Sequence, residues 1–408
     1  MTSPHLPSKA QERPKFAHWL STGNDVTATF LAASRIPGLI NLGGGLPEAD
    51  TYPVEHIAEI TKRVVLAHPT ETLGYGPIDG LPDLRDLLAE RFSTDTLKLT
   101  RENVLITSGG MQGLHLVGQV LLEQGALVAA QSPTYLGALD AWRPSNPTYR
   151  PFFVEGNKFE AHDALNGAQF AYAVPNFSNP SGYLVSLAQR QELVQAALKT
   201  GTWLVEDDPY GALYYDDAPL PNMLNLAAEA APGAPYTGPV IYLGTMSKQI
   251  APGLRIGWAI ASPEMISALT TAKQGSDMCS SGLTQRVTLE TFKTGLVEEI
   301  YPKIIDTYRP RRNALCDALD QYLTPWFDWK KPVGGMFVWA QAKDPHMNTD
   351  ELLAKGLENK VCISPSSVFD PEGKNHRCVR LNFTFNPPDK LAEGVRRLAQ
   401  TLEEMDKE

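Results

Sequence analysis

The sequence predicts an α/β fold: a large domain built on a mainly parallel sheet flanked by helices, followed by a smaller α+β domain. Three observations lead there. From about residue 100 to 262, short apolar runs alternate with amphipathic stretches, the signature of βαβ units. Polar loops carrying Gly and Pro follow those runs where strands should end. Beyond about residue 300 the texture changes to a charged helical stretch, strand-like runs and a charged final helix.

In chain order, residues 1–45 are expected to dock on the smaller domain and on a substrate site. Residues 46–295 form the large domain and 296–408 the small one. The strands of the large sheet are Val104 to Ile106, Ala126 to Ala130, Phe170 to Val174, Trp203 to Val205, Val240 to Leu243 and Ile256 to Ala261. Each is short enough for a buried strand. Between them, "SLAQRQELVQAALK" opens with Ser186 and Gln189 in S-x-x-Q spacing. In that capping box each side chain satisfies a free backbone N–H, so a helix starts there. In the smaller domain, Glu298 to Leu323 reads as helix, and "PVGGMFVWAQ", "VCISPSSVF" and "CVRLNFTF" read as strands.

Composition bounds the function. The 408 residues suffice for two domains. Hydrophobic residues at 43% and charged residues at 20% suit a soluble enzyme. A formal charge of −10 argues against a nucleic-acid partner, which needs a basic face. No apolar run approaches the roughly 20 residues that span a bilayer, and the polar, Pro-bearing start has no secretory h-region. Cys279, Cys316, Cys362 and Cys378 form no CxxC pair. They fit reduced thiols in a cytoplasm better than disulfides or a zinc site. The histidines are scattered without HExxH, so a metal hydrolase has no support.

The chemistry lies in the loops that follow the strands: "SGGMQGLHL", "QSPTY", "PNFSNPSG", "EDDPYG" and "GTMSK". In open parallel sheets the ligand crevice lies at the carboxyl ends of the strands, so these loops should converge. A Gly turn opening a helix suits a phosphate, although most Gly-Gly turns bind nothing. A carboxylate at the tip of a central strand is partly desolvated and needs a cation or proton, such as a protonated heterocyclic nitrogen. The Asn-Pro pair of "NFSNPSG" is more often a plain turn, and Tyr135 could be a core aromatic. A lone lysine is usually a solvated surface residue. Lys248, however, follows an apolar strand and precedes "QIAPGLRIGW". An amine held dry there has a lowered pKa and can act as a nucleophile. Arg255, seven residues on, offers a planar fork for phosphate, with Thr245 and Ser247 adding hydroxyls. Lysine, phosphate donors and a strand-tip carboxylate together outline a pyridoxal phosphate site.

These residues carry a family resemblance. The motifs "GYGPIDGLPDLRDLLAERF", "SGGMQGL", "SPTY", "SNPSG", "EDDPYG", "SKQIAPGLRIGW" and "RLNF" occur in order from "NLGGGLPEADTYP" to "VRLNFTF". The chain resembles a fold-type I pyridoxal-phosphate aminotransferase of the class I/II group, nearest the 2-aminoadipate, kynurenine and aromatic branch. The resemblance implies a seven-stranded sheet and pyridoxal 5'-phosphate as cofactor. It also implies a homodimer with shared active sites, and transfer of an amino group from an aromatic, 2-aminoadipate-like or branched L-amino acid to a 2-oxo acid, 2-oxoglutarate foremost.

It further implies roles. Lys248 would attach the cofactor and then shuttle the proton from Cα. Asp207 would pair with the pyridinium nitrogen. Asn179 and Tyr210 would hold the ring hydroxylate, and Tyr135 would stack on the ring. Gly110, Met111, Thr245, Ser247 and Arg255 would hold the phosphate, joined by Tyr75 of the neighbouring subunit. Arg380 would grip the substrate α-carboxylate, Gly44 would leave room beside it, and Asn24 to Arg35 would border the pocket. Two departures stand out: many relatives have Ser and Gln where Gly110 and Met111 stand, and often Pro-Gly where Pro365-Ser366 stands. The first leaves phosphate contacts there to backbone N–H groups. A lyase or decarboxylase on the same scaffold is the alternative reading. A transcription regulator built on this fold would need a further basic domain, and the acidic sequence, whose fold is expected to begin by about residue 16, argues against it.

Overall fold

The computed structural model describes residues 15–22, 35–153, 159–216 and 218–407. The stretch 23–34, which holds most of the expected pocket segment, lies outside them. The strands are β1 (Ile40–Asn41), β2 (Val104–Thr107), β3 (Leu127–Gln131), β4 (Thr148–Phe152), β5 (Phe170–Ala173), β6 (Trp203–Asp207), β7 (Val240–Thr245), β8 (Gly257–Ile260), β9 (Phe327–Trp329), β10 (Phe337–Ala342), β11 (Val361–Cys362), β12 (Ser364–Pro365) and β13 (Cys378–Asn382).

The large sheet has seven strands in the order β2-β8-β7-β6-β5-β3-β4. All pairings are parallel except those of β8, which runs antiparallel to β2 and β7. Every residue of β2, β5, β7 and β8 is buried, as befits strands covered by helices on both faces. The six expected strands match in place. The edge strand β4 was not expected: it reads "TYRPF", half exposed with a proline, and lacks the apolar run that marks its neighbours.

The helix Leu187–Thr200 begins on the expected capping box, with Ser186 Oγ accepting from the N–H of Gln189. The long helix Leu296–Tyr322 packs against the amphipathic final helix Pro388–Met405. The same part of the chain holds a four-stranded antiparallel sheet in the order β12-β13-β10-β9. β1 pairs in parallel with β11, so Ile40 and Asn41 lie against Val361 and Cys362 near the other end of the chain. The "VCISPSSVF" run is not one strand. It is β11, β12 and a short 3-10 turn, Ser366–Phe369.

This topology gathers chemistry at one edge. Parallel β2, β3, β5 and β6 all end there. Because β8 runs back along β7, with Thr245 opposite Gly257, the loop 246–256 turns at the same edge and brings Lys248 and Arg255 with it. Among the described residues, no helix is long and apolar enough to cross a membrane.

Candidate active site

One end of the site is an anion cup. β2 ends at Thr107, and Ser108-Gly109 leads into the helix Gly110–Leu121. The N–H groups of a first helical turn have no partners within the helix and carry positive partial charge. Gly109 has φ +87°, and a Cβ there would lie 2.5 Å from Arg255 Nη2. Only glycine lets the guanidinium approach so closely. Arg255 itself sits in the left-handed region at φ +50°, and its Nη2 lies 3.4 Å from Ser108 O. Thr245 Oγ1 lies 3.0 Å from Ser247 Oγ. Gly110, Met111, Thr245, Ser247 and Arg255 all line one cavity of about 190 Å³.

The floor of that cavity holds the charged groups. Asp207, the last residue of β6, is buried, and its Oδ2 accepts from Tyr172 Oη at 2.8 Å. Burial pushes its pKa up to about 7, with the Tyr172 hydrogen bond opposing and Asp208 adding to the rise. Just past β7, Lys248 Nζ donates to Gly45 O at 2.8 Å. Burial of the amine, and then the charges of Arg380 and Arg255, lower its pKa to about 8. Tyr210 is buried and hydrogen-bonded with Asn179. Burial and the Asp207 charge raise the Tyr135 phenol to about 12, and its Oη lies 3.6 Å from Met111 Sδ. Tyr135, Asn179, Asp207, Tyr210 and Lys248 complete the lining.

Arg380 reaches the site from β13 of the small sheet. Its Nη1 donates to Asn179 Oδ1 at 2.7 Å, and its Nη2 donates to Gly43 O and to Ser364 Oγ, the latter at 3.1 Å. The guanidinium lies between two rings, 4.5 Å from the Phe337 centroid and 4.8 Å from that of Phe369. Burial lowers its pKa to about 10, which leaves it charged at neutral pH. Among the described residues, its Nε is buried without a partner. A buried unpaired N–H costs about 1–3 kcal/mol, and a ligand carboxylate is a natural way to satisfy one.

The family model for aminotransferases of class I and II matches residues 37–398. The chain belongs to that family. This aminotransferase is 36% identical over 378 residues, 90% of the chain and 88% of the relative, to aromatic-amino-acid aminotransferase 1 of Thermococcus litoralis. Two solved structures share its fold throughout. One is the alpha-aminoadipate aminotransferase of Thermus thermophilus complexed with N-(5'-phosphopyridoxyl)-L-leucine, with a TM-score of 0.84, 32% identity, and coverage of 96% of this chain and 100% of that one. The other is a kynurenine aminotransferase of Pyrococcus horikoshii, with a TM-score of 0.87, 31% identity, and coverage of 96% and 97%.

The aminotransferase is a pyridoxal-phosphate-dependent transaminase, and its residues fit that cofactor. The anion cup suits a phosphate. The amine of Lys248 is poised to react with an aldehyde. Among the described residues no cation pairs with Asp207, so its buried carboxylate needs a protonated ring nitrogen or a proton of its own. Three expected residues do not line the cavity. Arg380 joins it through Asn179. Gly44 lies between two residues that do the touching, since the carbonyls of Gly43 and Gly45 meet Arg380 and Lys248. Tyr75 is 90% exposed and makes no wall of this cavity.

Sequence reasoning missed Tyr172, Ser364, Gly43 and Gly45. Tyr172 is hidden in the apolar run "FAYA", where its hydroxyl is the one polar side-chain group. Ser364 sits directly across from Arg380 in the β12–β13 register, a pairing that only the fold reveals. For Gly43 the signal is steric: a Cβ would lie 2.8 Å from the Ile363 carbonyl carbon.

Proposed function

We propose that this transaminase moves the amino group of an aromatic, 2-aminoadipate-like or branched L-amino acid to a 2-oxo acid, 2-oxoglutarate foremost, as a cytoplasmic homodimer. The observation that carries the reading is a single cavity lined by the Lys248 amine, the Asp207 carboxylate and an anion cup with Arg255, with the Arg380 guanidinium joined to it through Asn179. The substrate class follows the named relatives, which are aminotransferases of aromatic amino acids, alpha-aminoadipate and kynurenine.

Gly110, Met111, Thr245, Ser247 and Arg255 would hold the phosphate, Asn179 and Tyr210 the ring hydroxylate, and Tyr135 the ring face. When bound, pyridoxal phosphate supplies an electrophilic carbon for the amino nitrogen and a pyridinium ring that accepts the electron pair left at Cα. Lys248 is the point of attachment. Its Nζ would also carry the Cα proton, and a pKa near 8 leaves it able both to take and to give one. Gly45 O holds that amine in place meanwhile. Asp207 would hold the ring nitrogen as its anionic partner. Arg380 would grip the α-carboxylate with a planar fork, which would fix the orientation of Cα. Phe337 and Phe369 shield the guanidinium from water.

Leu66, Leu73 and Tyr75 expose 74%, 71% and 90% of their surface within ten residues of chain. Such a concentration of exposed apolar surface favours an interface, and Tyr75 would then reach the phosphate of the neighbouring copy. We read 46–295 as the large domain, 296–408 as the small one and 1–45 as a docking segment, a division supported by the two separate sheets and the β1–β11 pairing.

The test is a spectral titration with each common L-amino acid in the absence of an acceptor. Stoichiometric conversion of the cofactor to pyridoxamine phosphate, with release of the 2-oxo acid, supports the reading. Release of carbon dioxide or an elimination product without pyridoxamine phosphate overturns it in favour of a decarboxylase or lyase. Sedimentation velocity tests the dimer.

A further inference from the structure

We propose that Tyr172 is a positioning residue that fixes Asp207 as the anionic partner of the cofactor's ring nitrogen, working from behind the carboxylate without touching the cofactor. The inference rests on the proposed function and deepens it at one atom.

Asp207 has two oxygens with different neighbours. Oδ2 accepts from Tyr172 Oη at 2.8 Å, which leaves Oδ1 for the cavity that Asp207 lines and Tyr172 does not. The donor is held rigidly. β5 and β6 are parallel neighbours, with Tyr172 opposite Val205, so the phenol rises beside the strand that carries the carboxylate. Trp142 packs edge-on against the Tyr172 ring at 5.1 Å, and Trp142 Nε1 is itself tied to Leu114 O at 2.9 Å. Gly118 makes room for that indole, since a Cβ there would lie 2.5 Å from Trp142 Cδ1. The line of contacts therefore runs from the helix Gly110–Leu121, whose first turn forms the anion cup, through Trp142 and Tyr172 to Asp207. It ties the phosphate end of the site to the ring-nitrogen end.

The electrostatics follow from the same contacts. Groups facing Asp207 are Tyr172 on β5, Asp208 next along the chain, and Tyr135 and Tyr210 from flanking loops. Asp208 opposes ionisation of Asp207, and the Tyr172 hydrogen bond favours it. Burial and the Asp207 charge hold the Tyr172 phenol well above its usual range, so it remains a donor wherever the enzyme works. A tyrosine that merely buried its ring would need only some acceptor. This one spends its hydrogen on the carboxylate whose charge the chemistry requires.

The experiment compares the wild-type holoenzyme with Tyr172→Phe, each loaded with pyridoxal phosphate labelled with nitrogen-15 in the ring. NMR then reads the protonation of that nitrogen as pH rises. In the wild type it should stay protonated across the neutral range. In the variant the shared proton should shift toward the Asp207 carboxylate by about ten- to a hundredfold in that equilibrium, the scale of one hydrogen bond to a charged group, so the nitrogen reads as less protonated across the neutral range. The single-turnover rate with an amino acid should fall about ten- to a hundredfold, while half-saturation changes less than about threefold. Placed in an Asp207→Ala background, Tyr172→Phe should change nothing further, because its effect passes through that carboxylate. A ring nitrogen as protonated in the variant as in the wild type overturns the proposal whatever the activity. So does an equal further loss in the Asp207→Ala background. If instead the wild type itself forms no pyridoxamine phosphate from amino acids, the proposed function fails and not the role of Tyr172.

Discussion

Arg380→Ala is the most informative single perturbation, because the structure separates its two consequences. Removing the guanidinium deprives a bound α-carboxylate of its partner in a pocket walled by Phe337 and Phe369. A desolvated charge left without its hydrogen-bonded partner costs roughly 2–5 kcal/mol. At about 1.36 kcal/mol per tenfold, kcat/KM for every amino-acid donor should fall by on the order of 30- to several-thousand-fold. The second consequence is structural: Asn179 Oδ1, Ser364 Oγ and Gly43 O each lose a donor. Thermal melting measures that part alone. Arg380→Lys keeps a charge but loses the fork, so it should recover part of the activity and not all. The assay is steady-state kinetics on a panel of amino acids beside amines that lack a carboxylate. Amines should be affected far less. Equal loss on both classes, or a loss that tracks the fall in melting temperature, would refute the reasoning and place the carboxylate elsewhere.

Other outcomes can be checked on the same protein. Lys248→Ala should bind pyridoxal phosphate only noncovalently, and borohydride reduction with peptide mapping of the wild type should label Lys248; a label on another lysine sinks the assignment. Since the Lys248 pKa is lowered to about 8, the neutral amine gains as pH rises through that value. The rate at which apoenzyme takes up pyridoxal phosphate covalently should therefore climb there and level off above it, and a flat profile counts against it. Asp207→Ala should slow Cα proton removal far more than it weakens substrate binding, because the ring's charge matters most in the transition state; deuterium-labelled donors measure this. Gly43→Ala sets a Cβ against the Ile363 backbone at 2.8 Å. It should cost about 1–3 kcal/mol of stability and weaken carboxylate inhibitors, read by thermal melting and competition.

What could be read in one dimension was the strand-and-loop pattern. Six fully or mostly apolar runs became strands of the large sheet, and the loops after five of them met at one edge because those strands run the same way, while β8 runs back. Lys248, Asp207 and Arg255 were legible for that reason: each lies within a few residues of the end of a buried run. β4 and β9 were not legible. β4 is an edge strand in which only Phe152 is buried, and β9 is three residues long. The partners of Arg380 were equally hidden, since Gly43, Asn179 and Ser364 come from three distant parts of the chain. No local signal marks a hydrogen bond between residues 201 or 337 positions apart. Tyr172 is the instructive case. Inside "FAYA" its ring obeys the apolar pattern and conceals the hydroxyl, so a buried-strand reading absorbs it without remainder.

The three-glycine strap shows how much of the site's logic lies in backbone. Asn41 Oδ1 accepts from the N–H groups of Gly43 and Gly44, at 2.9 and 3.0 Å, and so holds the strap's turn. The carbonyls on either side then serve two of the site's three cations: Gly43 O takes the guanidinium of Arg380 and Gly45 O the amine of Lys248. The strap hangs on the small sheet, through Leu42 N to Cys362 O at 2.8 Å and Asn382 N to Leu42 O at 2.7 Å. Lys248 belongs to the large sheet. One short segment thus spans from the Arg380 guanidinium to the Lys248 amine. A shift of the small sheet toward the large one would move both carbonyls together. Glycine suits this position because the strap must run against the Ile363 backbone, closer than any side chain allows. The close approach, rather than freedom of φ, is what the residue type supplies here.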